Sequence, residues 1–259
     1  MNPEPPRVGC VPYLNARPLL EGLTFPVREM VPADLQGAYI GGELDVGLLS
    51  SIDVISMQNT SVVDGISISS QGTVFSVILL YHGELASVKR VLLDPASHTS
   101  NALIQIILSE FHGLQLEYVR STDAVFGIST AKSTARLLIG DQAVTERKRL
   151  TNNEVRFLDL GEEWFKYTEL PFVYALWILR NEYPKKKELS EALRSAKLYG
   201  LSQRSEIAAR YSDAEFAMRY LTDWIRYDLG EVEKRGLDLF ADYLKKYNIV
   251  SDVYPITYY

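Results

Sequence analysis

The 259-residue chain holds a single cysteine, Cys10, so an intrachain disulfide is impossible, and so is a cysteine-rich metal site. Set in a predicted strand, Cys10 reads as a small buried hydrophobe rather than a nucleophile. No apolar run approaches the roughly 20 residues of a membrane span. The opening Met-Asn-Pro-Glu-Pro-Pro-Arg has no apolar core of the kind a secretory signal carries, and a cytoplasmic protein without a membrane partner is expected. A basic excess is missing as well. The 27 Lys and Arg against 33 Asp and Glu leave a net charge of −6, which argues against a protein that tracks nucleic-acid phosphates but leaves room for a local anion pocket. Internal repeats and low-complexity linkers are also lacking. What remains is ordinary globular usage, 47% hydrophobic and 23% charged, in a chain long enough for one large domain or two small ones.

The most informative stretch is Gly-Cys-Val-Pro-Tyr-Leu-Asn-Ala-Arg-Pro-Leu, residues 9–19. A short apolar strand, Arg7 to Val11, runs into a turn bearing a phenol, a carboxamide and a guanidinium, closed by Pro18. In open α/β sheets, ligands bind at the carboxyl ends of strands, so this turn points to a small polar ligand. The plainer alternative is that Pro12, Asn15 and Pro18 only shape the turn.

Further along, residues 32–42 read as a helix with Pro32 in its first turn and a Gly41-Gly42 stop. Residues 43–49 read as a buried strand ending at Ser50-Ser51, either of which is placed to cap a short helix over 52–57. Extended pieces follow at 66–69 and 74–81, then a strand over 88–94 ending in Pro-Ala-Ser97-His98-Thr99-Ser100, with helical spacing at Leu103, Ile106, Ile107 and Phe111. A Ser/Thr turn at a helix N-terminus offers free backbone N–H groups and the positive end of a helix dipole, a place for a carboxylate or phosphate. The same residues serve equally as an ordinary cap. A strand over 114–119 is followed by a Ser/Thr-rich helix or turn. Arg136 opens a further strand that Gly140 turns into a helix with Asp141 as its expected cap. Asp159-Leu-Gly-Glu-Glu-Trp164 approaches another helix, and 170–179 is a second long apolar strand. From Pro184 to Lys246 only helical spacing remains. The pattern is α/β, with the two long strands as hinge crossings, residues 1–82 and 173–259 forming one lobe and 83–172 the other.

Seven motifs stand here in one order: Tyr13-Leu-Asn15-Ala-Arg17-Pro-Leu, Gly42-Glu-Leu-Asp-Val-Gly-Leu-Leu-Ser50, Ser70-Gln-Gly72-Thr-Val-Phe-Ser76-Val, Asp94-Pro-Ala-Ser97-His-Thr99-Ser100, Ile139-Gly-Asp141-Gln-Ala, Asp159-Leu-Gly-Glu-Glu-Trp and Leu170-Pro-Phe-Val-Tyr-Ala-Leu-Trp177. Together they resemble the chorismate dehydratase family of the futalosine route to menaquinone, over nearly the whole chain. The resemblance implies a two-lobed, periplasmic-binding-protein-like (type II) fold and the elimination of water from chorismate to give 3-[(1-carboxyvinyl)oxy]benzoate, with no metal and no organic cofactor. The related dihydroxynaphthoate synthase usually opens with a Ser-Pro-Asn-Asp-Thr type of loop, which is missing here. The chain departs from the family's usual Pro at Ser50 and Thr73, and from its usual Arg at His98.

That chemistry removes a ring proton and a neighbouring hydroxide from a dianion. The site must therefore hold two carboxylates, stabilise developing charge and help the hydroxyl leave. On the resemblance, Asn15 is the catalytic candidate, orienting and hydrogen-bonding because an amide is a poor base. Ser97, Thr99 and Ser100 are expected to bind one carboxylate, and Ser50, Ser51, Ser70 and Ser76 to line the opposite wall. Tyr13, Arg17, Gly72 and Asp141 complete the substrate-binding candidates. Asp141 reads first as a cap and second as a base. His98, standing where the family has Arg, is not taken as the base. That leaves the substrate's own enolpyruvyl carboxylate as proton acceptor. A binding protein that captures a small anion without turnover is the non-enzymatic alternative.

Overall fold

Val8–Cys10, buried throughout, is the shortest of the strands that carry the site. The computed structural model describes residues 4–120, 132–150 and 154–259. In chain order the strands are β1 (Val8–Cys10), β2 (Val27–Glu29), β3 (Val46–Ser50), β4 (Thr60–Ser70), β5 (Val77–His82), β6 (Arg90–Leu93), β7 (Glu117–Arg120), β8 (Thr134–Ile139), β9 (Val155–Asp159), β10 (Phe172–Arg180) and β11 (Thr257–Tyr258). The helices are α1 (Arg17–Leu20), α2 (Pro32–Ile40), α3 (Ser51–Ile55), α4 (His98–Ile106), α5 (Gly140–Arg149), α6 (Leu160–Thr168), α7 (Lys186–Ser202), α8 (Arg204–Ala208), α9 (Ala214–Arg219) and α10 (Glu231–Lys246). None is long and apolar enough to cross a membrane. The Ser/Thr-rich segment expected after β7 lies largely outside the described residues.

Two mixed sheets result. The first runs β11-β4-β10-β3-β1-β2 and the second β7-β6-β8-β5-β9. Parallel β2-β1-β3 and parallel β7-β6-β8 form the βα-wound halves. The long strands are antiparallel insertions, β10 between β3 and β4 and β5 between β8 and β9. Both are buried on both faces, which explains their continuous apolar sequence.

Strand pairing moves the expected crossings. Val77–His82 pairs within the second sheet rather than with residues 1–70, so the chain changes sheets over 71–76, just before the strand. It returns over 169–171, just before β10. We propose that the two sheets are the cores of two lobes divided at these passages. The passage at 71–76 is tightly turned, with Gly72 at φ +96° and Phe75, a non-glycine, at φ +68°. Phe75 stacks on Trp224 with ring centroids 4.5 Å apart, and both its own N–H and that of Val74 donate to buried Asp159. The strand expected from Ile66 begins instead at Thr60. Gly65, at φ +82°, absorbs a bulge where β4 and β10 slip register, so Asp64-Gly65 kinks the strand instead of ending it. The edge strands β9 and β11 carry too little apolar signal to be read from sequence.

The C-terminal helices cover the first sheet, and one contact fixes α1. A Cβ on Gly200 of α7 would lie 1.9 Å from the Pro18 carbonyl oxygen, where only backbone movement relieves the clash. Gly200→Ala therefore costs about 2–3 kcal/mol of stability, measured by denaturant unfolding; an unchanged midpoint would show that α1 yields freely.

Candidate active site

The loop after β1 makes one turn of 3-10 helix, Leu14–Ala16, and brings Tyr13 and Asn15 to the carboxyl end of the first sheet. There they meet the carboxyl end of β3 at Ser50, the passage residues Val74 and Ser76, the start of α4 at Ser97 to Ser100, and the β8–α5 junction at Ile139 and Gly140. All of these line one cavity, with Tyr174 and Ala175 of β10 as part of its wall. Residues of both sheets thus enclose the same space.

Among the described residues lining it there is no Lys, Arg, Asp or Glu. The polar lining consists of the hydroxyls of Ser50, Ser76, Ser97, Thr99 and Ser100, the phenols of Tyr13 and Tyr174, the Asn15 carboxamide and the His98 imidazole. Burial pushes the Tyr13 and Tyr174 phenols above their ordinary range, so both stay neutral donors. Two helix N-termini, those of α4 and α5, open at the same wall. Such a surface offers donors to anions and no side-chain carboxylate to act as a base.

Three local networks fix the lining. Asn15 Nδ2 donates to the Tyr220 hydroxyl at 3.4 Å, and that hydroxyl lies 2.7 Å from Ser76 Oγ. Asn15 Oδ1 is buried without a partner. Tyr220 opens a π-helical turn, Tyr220–Trp224, that continues α9; burial raises its phenol well above the ordinary range, and it too stays neutral. The second network centres on Asp53, 4% exposed. Its carboxylate accepts from Ser50 Oγ at 2.6 Å and Gln36 Nε2 at 2.8 Å, and pairs with His98 Nδ1 at 3.0 Å. In the third, Thr99 Oγ1 accepts from the Ile52 N–H at 3.2 Å, so a hydroxyl from α4 supplies the cap of α3 that was expected from Ser50 or Ser51. Ser50 stands at the N-cap position but donates to Asp53 instead.

Seven of the residues singled out from sequence meet at the cavity: Tyr13, Asn15, Ser50, Ser76, Ser97, Thr99 and Ser100. Ser97 is also the N-cap of α4, accepting from the Ser100 N–H at 3.2 Å, so a residue that caps the helix also lines the cavity. Five residues are placed elsewhere. Arg17 turns away to a two-point ion pair with Glu29 of β2. Ser51 is sealed beneath the wall, 3.4 Å from Thr99 Oγ1. Ser70 lies behind it, its hydroxyl 3.1 Å from that of Tyr174, which it steadies. Gly72 serves the turn between sheets. Asp141 is exposed and is not the cap of α5, because Gly140 at φ +57° already starts the helix and leaves Asp141 inside the first turn. Cys10 is fully buried, and burial pushes its thiol up, away from nucleophilic use. Tyr174, Tyr220 and Asp53 were not singled out from sequence. Tyr220 is one of 16 tyrosines, and its spacing marks it only as core.

A family model described as menaquinone biosynthesis matches residues 6–246. The chorismate dehydratase of Thermus thermophilus is 33% identical over 260 residues, covering 92% of this chain and 94% of that protein. The chorismate dehydratase of Campylobacter jejuni is 23% identical over 242 residues, 92% of each. In fold, the chain superposes on the periplasmic aliphatic sulphonate binding protein SsuA of Escherichia coli with a TM-score of 0.68, at 14% identity and over 97% of this chain and 95% of that one. The architecture is therefore periplasmic-binding-protein-like.

Proposed function

The chain belongs to the menaquinone biosynthesis family, and on that premise we propose that it is a chorismate dehydratase, a hydro-lyase converting chorismate to 3-[(1-carboxyvinyl)oxy]benzoate. One observation carries the reading to the residues: a cavity closed by both sheets and lined by hydroxyls, phenols, a carboxamide and an imidazole, without a side-chain carboxylate among the described residues. A dianion that supplies its own base suits such a site.

Elimination breaks the C–H bond at the ether-bearing ring carbon and the C–O bond at its neighbour. The ring proton is vinylogous to the ring carboxylate, so charge flows into that group before hydroxide departs as water and the ring becomes aromatic. Donors from the α4 turn, Ser97, Thr99 and Ser100, hold one carboxylate and stabilise the charge it gathers. Ser76 faces them across the cavity and steadies the hydroxyl or the other carboxylate, while Ser50, whose proton goes to Asp53, offers its oxygen as an acceptor to the substrate hydroxyl. Asn15, fixed through Tyr220, orients the reacting carbons. The enolpyruvyl carboxylate accepts the ring proton and passes it to the departing hydroxyl, which leaves as water. Enclosure between the sheets excludes water and strengthens each of these hydrogen bonds. Cytoplasmic residence and a small-molecule substrate, with neither nucleic acid nor membrane as partner, belong to the same reading.

The test is incubation of the purified protein with chorismate, following loss of the diene absorbance and identifying the product by mass spectrometry. Appearance of the enolpyruvyl benzoate is expected. Saturable binding of chorismate without turnover would leave a binding protein of the same fold, and turnover only of a late naphthoate precursor would make the chain the pathway's other enzyme.

A further inference from the structure

The cavity is proposed to take a dianion, yet among the described residues only one lining side chain can carry positive charge, that of His98. His98 is the first residue of α4, and its Nδ1 is engaged by Asp53 at 3.0 Å. Asp53 itself is fixed from two other elements, by Ser50 Oγ and by Gln36 of α2. With Nδ1 bound to a carboxylate, Nε2 is left as the imidazole's outward donor. We propose that His98, held by Asp53, is the cation that anchors one carboxylate of the substrate, with Asp53 as its positioning residue. The inference rests on the reading above only in taking the ligand to be an anion with two carboxylates.

The surroundings bear this out. The hydrogen bond to Asp53 is the largest influence on His98 and raises it above its ordinary value, with burial and Arg120 at the end of β7 opposing. The other titratable groups around it are phenols: Tyr13 and Tyr174 across the cavity, and Tyr118 and Tyr247 along a second, open cleft that His98 also borders. Phenols with ordinary or raised pKa values stay neutral below about pH 9. Among the described residues, Asp53 is therefore the one acidic partner and Arg120 the one basic neighbour acting on the imidazole in that range. The open cleft also lets the imidazole exchange its proton with bulk water. A carboxylate seated at this corner meets the imidazolium, the Ser97 and Thr99 hydroxyls and the α4 N-terminus together.

The experiment is calorimetric titration of the intact protein with 3-(carboxymethoxy)benzoate, a stable dianion shaped like the product, between pH 6 and 9, with turnover of chorismate measured in parallel. The probe's own charge is constant over this range. For the unaltered protein, affinity should be highest at the acid end and fall as pH rises through the His98 pKa, with proton uptake on binding near that pH. His98→Gln should bind about 10- to 100-fold more weakly and without the pH dependence. Asp53→Asn should keep the dependence but move its midpoint to lower pH. His98→Arg, a permanent cation, should restore affinity and flatten the profile. Binding by the unaltered protein that is independent of pH, with no proton uptake, overturns the proposal without recourse to any variant. So does equal affinity in His98→Gln. Absence of turnover with the pH-dependent binding intact overturns the dehydratase reading and leaves the role of His98 standing; turnover with pH-independent binding does the reverse.

Discussion

Asn15→Ala is expected to lower kcat for chorismate by about 100- to 1,000-fold, the range seen when one positioned donor to developing charge is removed, with the thermal melt staying close to that of the unaltered protein. On the roles proposed above, the loss should fall on kcat rather than KM, since Asn15 would act on the reacting carbons and the Ser97 to Ser100 turn would carry ground-state binding. Asn15 contributes to the cavity and to a single bond with Tyr220 at 3.4 Å, so its truncation leaves the core intact. Asn15→Asp separates two mechanisms. If the substrate supplies its own base, a carboxylate here repels the dianion, raising KM and lowering kcat. Faster turnover with a new carboxylate pKa in the rate profile would show that the natural site lacks a base it needs, and substrate assistance would fall. Tyr220→Phe probes the same chain from the far side: it removes the hydroxyl shared by Asn15 and Ser76, and a smaller loss in kcat is expected, since the amide stays in place but loses its tether.

Asp159→Ala costs about 3–5 kcal/mol, the range for breaking a buried charge pair from one side. The melting temperature then falls by on the order of 10 °C for a chain of this size. The carboxylate is wholly buried and pairs with Arg147 at 2.6 Å. It also accepts from the N–H groups of Val74 and Phe75 in the passage between sheets and from those of Gly161 and Glu162 at the start of α6. Removing it strands the Arg147 guanidinium over the Phe75 ring, 4.0 Å from its centroid, and leaves the left-handed Phe75 held by its aromatic contacts alone. Adding Arg147→Leu should recover part of the loss, because the unpaired charge goes with it. Activity should fall as well, since Ser76 follows Phe75 directly. A drop of less than about 1 kcal/mol, read from denaturant unfolding, would mean that water replaces the carboxylate at no cost and that the passage is held by the aromatic stack alone.

Much of this was legible along the chain. Buried strands announce themselves as unbroken apolar runs, and both 77–82 and 172–180 were visible for that reason. Ser97 ahead of a helical spacing signals a cap, and the structure puts its hydroxyl there. The order of seven motifs is enough to point to the family. The edge strands β9 and β11 escaped because a strand paired on one side needs little apolar content. The crossings were displaced from the long strands to the six residues before β5 and the three before β10, because an apolar run reports burial and does not say in which sheet.

The sequence alone determined the buried strands and most helices, the single cysteine, the α/β class and the family, since each is carried by patterns of residues near one another in the chain or by the order of such patterns. The identity of the cavity's walls was settled only by tertiary packing. Neighbouring Ser50 and Ser51 diverge, one to the cavity and one beneath it, because a strand ends and a helix begins between them. Arg17 sits in the most telling motif and still turns to Glu29, the nearer opposite charge. Tyr220 reaches Asn15 across 205 residues, and His98 meets Asp53 across 45. No local pattern encodes such meetings, because they are decided by how two sheets and a helical layer exclude water from the space they share.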